Sequence, residues 1–511
     1  MTQMRFVQAH AGDCESSGGL PQRLRKFLLR VAAARVCGAR VACCAGALFI
    51  SACASLPERM PASPTAPAAT PEQQLVVHDR RGAVSQATER KVLAAVKAEG
   101  APDLTEHHLK ALAALGPADF YRGNSTRLLL DGPATFAAMK AAIARARSRV
   151  LLESYIVDEG VLAEELALLL SGKVAQGVQV ALVYDGVGSM GTDPSYFERL
   201  AKAGVAVCKF NPVNPLERPG YWGINHRDHR KVLVVDGDVA FTGGINISRV
   251  YSSGSAGRGG SGAGSGGGDA LKDGWRDTHI ELRGPVVEAF ARSFERTWAA
   301  QGCSGAPAPT AALAAQTGKA TPVAVAAPGQ RVVQVLESDP RDKDNRIYTS
   351  LLAAVEAAQR SVWLTIAYFA PGDDMIQALS DAARRGVDVA LVLPGRSDFT
   401  LVLHAGRSYY DDLLAAGVRI YEMDDAVMHA KTAVIDGVVS TVGSSNMDWR
   451  SFVANNEINA IVLGRDFGRE LEAVFERDLA NSRPITLDAW RRRDLSVRVM
   501  EQIGRFAERF L

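Results

Sequence analysis

Two short runs in this sequence bring together residue types able to do chemistry on phosphorus. The first is His229, Lys231 and Asp236; the second is His429, Lys431 and Asp436. Alternate residues of a β-strand point the same way, so each imidazole projects beside its ammonium. Each aspartate is followed by glycine, Gly237 or Gly437, where a turn is expected. Further on come Gly243-Gly244-Ile245-Asn246 and Gly443-Ser444-Ser445-Asn446. These place Asn246, Ser444 and Asn446 as candidate donors to phosphate oxygens. Two imidazoles and two ammonium groups in one cleft suit phosphodiester exchange without a metal or cofactor. One neutral histidine attacks phosphorus, and the other, protonated, supplies a proton to the leaving alcohol. Lys231, Lys431 and the asparagines hold the nonbridging oxygens as charge develops. Each histidine also needs a carboxylate on its second nitrogen. Asp277 and Glu457 stand at matching places for that task. The symmetry of the motifs leaves open which histidine attacks.

A single His-x-Lys pair would be surface decoration. Here it recurs inside a long internal duplication. ARSRVLLESYIV, GVQVALVYDGVGS, RLAKAGVAVCKFNP and HRKVLVVDGDVAFTGGIN are answered in order by AQRSVWLTIAYFAP, GVDVALVLPGRSD, DLLAAGVRIYEMDD and HAKTAVIDGVVSTVGSSN. Helical-period segments precede apolar runs rich in Val, Ile and Leu. The fold class is therefore α/β: two tandem α/β sandwich domains with pseudo-two-fold symmetry and one shared site. The expected organisation is a signal segment over 1–53, a flexible tether over 54–83 and a helical lead-in over 84–121. The first repeat follows over 122–302, with a Gly/Ser-rich loop at 252–268. A linker over 303–330, the second repeat over 331–485 and a basic C-terminal helix over 486–511 complete it.

The motifs, with NHRDHRKVLVVDG, AFTGGINIS, GWRDTHIELRGP and MHAKTAVIDGVVSTVGSSNMDWRSFVANNEINAIVLG around them, resemble the phospholipase D superfamily over residues 120–485. Within it they look like the bacterial cardiolipin synthases, closer to the shorter members without N-terminal transmembrane helices. The resemblance implies two phospholipase D-like domains, a covalent phosphohistidine on His229 and His429 as general acid. It also implies transfer of a phosphatidyl group from one phospholipid to phosphatidylglycerol; phosphatidylethanolamine is a further candidate substrate, and the donor is left open. Motif residues alone leave a hydrolase of the same family, a phospholipase or nuclease, as an alternative. A non-catalytic lipid-binding lipoprotein is the other.

The N-terminus points to a membrane. Six arginines and lysines between 23 and 40 precede the short apolar run VACCAGALFI, too short to span a bilayer. Ile50-Ser51-Ala52-Cys53 then resembles a bacterial lipobox, with Cys53 as the lipidated residue of a cell-envelope protein. The expected partners are phospholipids and a membrane surface, and the sequence is silent on a protein partner. Net charge is +2 over 511 residues, which argues against a dedicated nucleic-acid binder. Five of the seven cysteines fall in the first 53 residues; neither a disulfide framework nor a zinc site is expected, and Cys208, inside VAVCKF, is expected to be a buried strand residue. Tyr155 and Tyr368, at equivalent repeat positions, read as buried strand-end aromatics, with lining of the cleft as the alternative; His226 reads as a solvated loop residue, with phosphate binding as the alternative. His404 is a candidate on the acceptor side, and His107–His108 carry no assigned role.

Overall fold

The computed structural model describes residues 75–214, 225–254, 274–305, 329–341 and 345–508. The lipobox-like segment with Cys53, residues 54–74 of the tether, residues 306–328 of the linker and most of the Gly/Ser-rich loop lie outside these residues.

Each repeat builds the same mixed sheet. In the first, Ala206–Phe210, Gln179–Asp185 and Arg149–Ser154 run parallel. Antiparallel Lys231–Val235, Val239–Gly243 and Thr278–Arg283 follow. In the second, Arg419–Met423, Asp388–Pro394 and Ser361–Ile366 are parallel, then Lys431–Ile435, Val439–Gly443 and Asn455–Leu463 are antiparallel. One strand serves both sheets. The second half of Ala118–Leu130 pairs with Thr278–Arg283, while its first half pairs with Arg331–Ser338 of the second repeat.

Period-two alternation assigns each motif strand two faces. Leu233 and Val235 enter the first repeat's own core, whereas Val232 and Val234 enter a core shared between repeats. There they meet Val434, Val442 and Ile458 beneath helices Val287–Gln301 and Arg465–Ala480. This shared apolar core holds the two motif strands in a fixed relation.

Expectations for the tether, the two cysteines of the body and the single C-terminal helix need correction. Residues 75–83 of the supposed tether are ordered: Leu75–Asp79 pairs in parallel with the start of Ala118–Leu130 and in a hairpin with Gly82–Ala83. The lead-in helices Gln86–Lys97 and Pro102–Ala113 pack on the second repeat, with Leu109 and Leu112 in the cluster of Ile347 and Leu352. Cys208 and Cys303 form a disulfide, against the expectation of none. It ties the edge strand to the end of helix Val287–Gln301, two segments that sequence separation hides. The basic C-terminus is two helices, Leu487–Arg491 and Leu495–Ala507.

Candidate active site

Both histidines sit just before their strands and reach across to the other repeat. The His229 backbone N–H donates to Asn456 O at 3.0 Å, and the His429 N–H donates to Arg276 O at 2.7 Å. The next residue on each acceptor segment is the orienting acid. His229 Nδ1 lies 2.9 Å from Glu457 Oε1, and His429 Nδ1 lies 2.8 Å from Asp277 Oδ2. The pairing is crossed: each imidazole is fixed by the carboxylate of the opposite repeat. Backbone and ring are thus held by two successive residues, which leaves little freedom for rotation. With Nδ1–H donating to a carboxylate, Nε2 is the nitrogen that faces the reaction. Lys231 Nζ donates to His229 O at 2.6 Å and Lys431 Nζ to His429 O at 2.5 Å, so each ammonium is held at its own histidine.

Aromatic rings wall the site. Tyr155 stands edge-on to His229 with centroids 5.0 Å apart, and Tyr368 to His429 at 5.9 Å. By strand register the two tyrosines are not equivalent. Ser154 pairs with Lys231 and Ile366 with Lys431, which matches Tyr155 to Ala367. Both rings nonetheless reach the site, one from each repeat. Trp275 and Tyr251 flank His429, and the Tyr251 hydroxyl lies 3.0 Å from its Nδ1.

Comparison with known proteins agrees with this geometry. Residues 139–253 and 351–479 match the family model described as "Cardiolipin synthase, PLD-like domain". A cardiolipin synthase of Geobacillus sp. strain WCH70 is 34% identical over 398 residues, covering 76% of this chain and 73% of that protein. Cardiolipin synthase A of Pseudomonas putida is 33% identical, covering 78% and 77%. The chain belongs to the cardiolipin synthase family of phospholipase D-like phosphatidyltransferases. Phosphatidylserine synthase of Haemophilus influenzae shares the fold, with a TM-score of 0.54 at 11% identity over 76% of this chain and 95% of that one. Among the described residues no helix is long and apolar enough to cross a membrane.

In this member of the cardiolipin synthase family the two aspartates of the motifs stand apart from the histidines. Asp236 lies five residues past Lys231, at the far end of its strand, roughly 17 Å away at 3.3 Å per residue. Its carboxylate accepts from the backbone N–H groups of Arg147, Ser148 and Arg149 at 2.7–2.9 Å. Asp436 does the same for Gln359, Arg360 and Ser361, and His108 Nε2 adds a contact at 2.8 Å. Both aspartates take a positive φ, 54° and 51°, and the glycines after them follow suit. The Asp-Gly pair is a hairpin turn whose side chain staples the start of the neighbouring strand, Arg149–Ser154 or Ser361–Ile366. The structure does not bring these two carboxylates to the histidines, and we propose a structural role for them in place of the expected catalytic one. His108, left without a role by sequence, is part of that staple.

Asp236→Asn is expected to lower stability by about 1–3 kcal/mol while turnover changes less than about tenfold. Burial raises the Asp236 carboxyl, but the backbone hydrogen bonds more than offset it and hold it below its ordinary value. The sign follows: the stabilisation is present above the unfolded value near 3.8 and is lost as pH falls through the lower folded value. Denaturant melts at neutral pH and near pH 3, with activity alongside, check both parts. A loss of activity with unchanged stability would restore Asp236 to the chemistry.

Ser444 is also reassigned. Its hydroxyl donates to Glu457 Oε2 and accepts from Ile458 N at 3.0 Å, so it supports the carboxylate rather than a phosphate. Ser451, which sequence reasoning missed, donates to Glu457 Oε1 at 2.8 Å. The counterpart of Ser444 is Gly244, where a Cβ would collide with Asp277 Oδ1. The difference between the two repeats thus matches the two acids they support. Asn246 Oδ1 accepts from Ile156 N at 3.2 Å, while the Asn446 Oδ1 is buried with no partner among the described residues. His226, expected in solvent, bonds to Asn456 at 2.7 Å. His404 stands on helix Thr400–Arg407, whose Ala405 meets Gly504 of the last helix.

Burial, then Lys231 and Lys431, push the His229 imidazole well below its ordinary value. It is kept neutral, as a nucleophile requires. His429 is lowered by burial and Lys431, against the opposing pull of Asp277. An incoming phosphodiester anion would raise it, which favours the proton donor once substrate is bound. Behind His229, burial and Glu153 raise the Asp228 carboxyl well above its ordinary value. Burial also brings Lys231 down to about 7 and Lys431 to about 8, and brings Glu457 up to about 7.

Lysines act here as cations, so rising pH removes them. The basic limb of kcat/KM, which reports the free enzyme, is expected between about 7 and about 8 rather than near an ordinary lysine. Lys431→Arg, which stays charged, should shift the upper part of that limb to higher pH. A limb near pH 10 in the unsubstituted enzyme would show that burial does not control these lysines.

Proposed function

We propose that this chain makes cardiolipin by moving a phosphatidyl group between phospholipids through a phosphohistidine on His229. His229 Nε2 attacks phosphorus, and the P–O bond to the donor headgroup breaks as His429 gives its proton to the leaving alcohol. A hydroxyl of the glycerol headgroup of phosphatidylglycerol then attacks phosphorus. His429 takes that hydroxyl's proton, the P–N bond breaks and His229 is freed. With phosphatidylglycerol as donor the other product is glycerol; with phosphatidylethanolamine it is ethanolamine.

The crossed arrangement carries this reading: two imidazoles, each with Nδ1 fixed by the opposite repeat's carboxylate and each beside a buried lysine. Asn246 and Asn446 complete the phosphate cradle. The same reading places the protein on a bacterial envelope membrane, anchored through Cys53. The Cys208–Cys303 disulfide supports an oxidising compartment for the body of the chain. The test uses vesicles of phosphatidylglycerol alone and vesicles mixed with phosphatidylethanolamine. Cardiolipin should form with the unsubstituted chain and not with His229→Ala. No cardiolipin from either composition would overturn the reading.

A further inference from the structure

The last helix is amphipathic the wrong way round for a soluble protein. Leu495–Ala507 buries Glu501, fully enclosed and paired with Arg493, and presses Gly504 onto the backbone of Ala405. The opposite face carries Leu495, Val499, Ile503 and Phe506, spaced by four, four and three residues as one helical stripe. Leu495 is 76% exposed and Phe506 74%. Scattered exposed apolar residues need no explanation, but a continuous stripe on a helix with a buried acid does.

Two further exposed apolar residues fall at matching places in the duplication. Met190, 70% exposed, ends the segment Gly186-Val187-Gly188-Ser189-Met190, and Phe399 ends Gly395-Arg396-Ser397-Asp398-Phe399. Both segments follow the middle parallel strand of their sheets. Both touch the aromatic wall of the site. Gly188 lies against the Tyr155 ring, which contacts His229. Asp398, beside Phe399, accepts from the hydroxyl of Tyr368 at 2.6 Å, and Tyr368 contacts His429. Helix Thr400–Arg407 starts immediately after Phe399 and carries the apolar helix on its surface.

We infer that Met190, Phe399 and the stripe Leu495, Val499, Ile503 and Phe506 form a surface that seats the enzyme on an anionic phospholipid bilayer, with the active site at its centre. The inference rests on the phospholipid reading above, which requires the reacting phosphodiester to be met at the bilayer surface. Apolar side chains enter the headgroup boundary, and the exposed Arg491, Arg492 and Arg498 of the same C-terminal segment suit anionic headgroups. The duplication then presents one apolar tip from each repeat beside a tyrosine of the site.

Hydrogen exchange of the full chain, with and without phosphatidylglycerol vesicles, reads the surface segment by segment. Peptides covering 495–507, 190 and 399 should gain protection on these vesicles. Val499→Glu/Ile503→Glu/Phe506→Glu and, separately, Met190→Glu/Phe399→Glu should cut turnover on vesicles by about tenfold or more. Turnover of monomeric dihexanoyl phosphatidylglycerol should stay within about twofold, since no reacting group is touched. Unchanged exchange in all three segments while the chain sediments with vesicles would overturn the inference and leave the chemistry standing. So would a stripe variant that changes the protein's mass in solution but not its turnover on vesicles, which would mark an interface between copies. Failure of the unsubstituted chain on both substrates would instead count against the phosphatidyltransfer reading, and the exchange result would still decide the surface.

Discussion

His429→Asn is expected to cut turnover of a natural headgroup by about 10²- to 10⁴-fold, yet to leave a stoichiometric burst with a nitrophenyl leaving group. Two bonds change, and they make different demands on the acid. A glyceryl or ethanolamine alkoxide is a poor leaving group and must be protonated as it departs. A nitrophenolate leaves unaided, so the acid is dispensable for the first step. The phosphatidyl group then remains on His229, because His429 is also the base that activates the incoming hydroxyl. His229→Asn is different: it loses the bond-forming atom and should abolish the burst as well as turnover, by at least about 10⁴-fold. Rapid-quench measurement of nitrophenol from a short-chain phosphatidyl nitrophenol distinguishes the two. A burst in His229→Asn and none in His429→Asn would reverse the roles.

The crossed carboxylates give the second large effect. Asp277→Asn should reproduce the His429 lesion, including its rescue by the nitrophenyl leaving group. Glu457→Gln should reproduce the His229 lesion, which no leaving group rescues. Each is expected to cost up to about 10⁴-fold, because an amide misorients the imidazole or fixes the wrong tautomer. The pattern follows from two distances, 2.8 Å from Asp277 to His429 and 2.9 Å from Glu457 to His229. If each acid served the histidine of its own repeat, the leaving-group pattern would be exchanged between the two variants. Burst amplitudes with both substrates decide it.

Much of this site is legible in the sequence, for reasons that differ from residue to residue. His229, Lys231, His429 and Lys431 declare themselves because a His-x-Lys run leading into an apolar strand is shown twice by the duplication. Asp277 and Glu457 are found by matching the repeats. Their crossing is not, because sequence order carries no information on which strand of the opposite sheet lies nearest. Asp236 and Asp436 mislead for a related reason: proximity in the chain suggests proximity in space, but five residues of strand carry them to the other end of the sheet. The Asp-Gly signal correctly marks a turn, and the proposed role of both aspartates is to hold it. Ser451 and Tyr251 carry no spacing signal at all, since neither lies on the motif strands. The Cys208–Cys303 bond is equally silent, spanning 95 residues between an edge strand and a helix end. The α/β class and both repeats follow from apolar runs and their order. The strand Ala118–Leu130, shared by two sheets, does not, because nothing in its composition marks a strand with two sets of partners.

What the histidines hand the phosphatidyl group to is decided by product stoichiometry. The measurement is the yield of cardiolipin, phosphatidic acid and free glycerol from vesicles of phosphatidylglycerol labelled in the headgroup glycerol. One glycerol is expected per cardiolipin formed, with phosphatidic acid a minor product and all three absent in His229→Ala. Phosphatidic acid in amounts equal to the released glycerol, without cardiolipin, would contradict phosphatidyl transfer to phosphatidylglycerol.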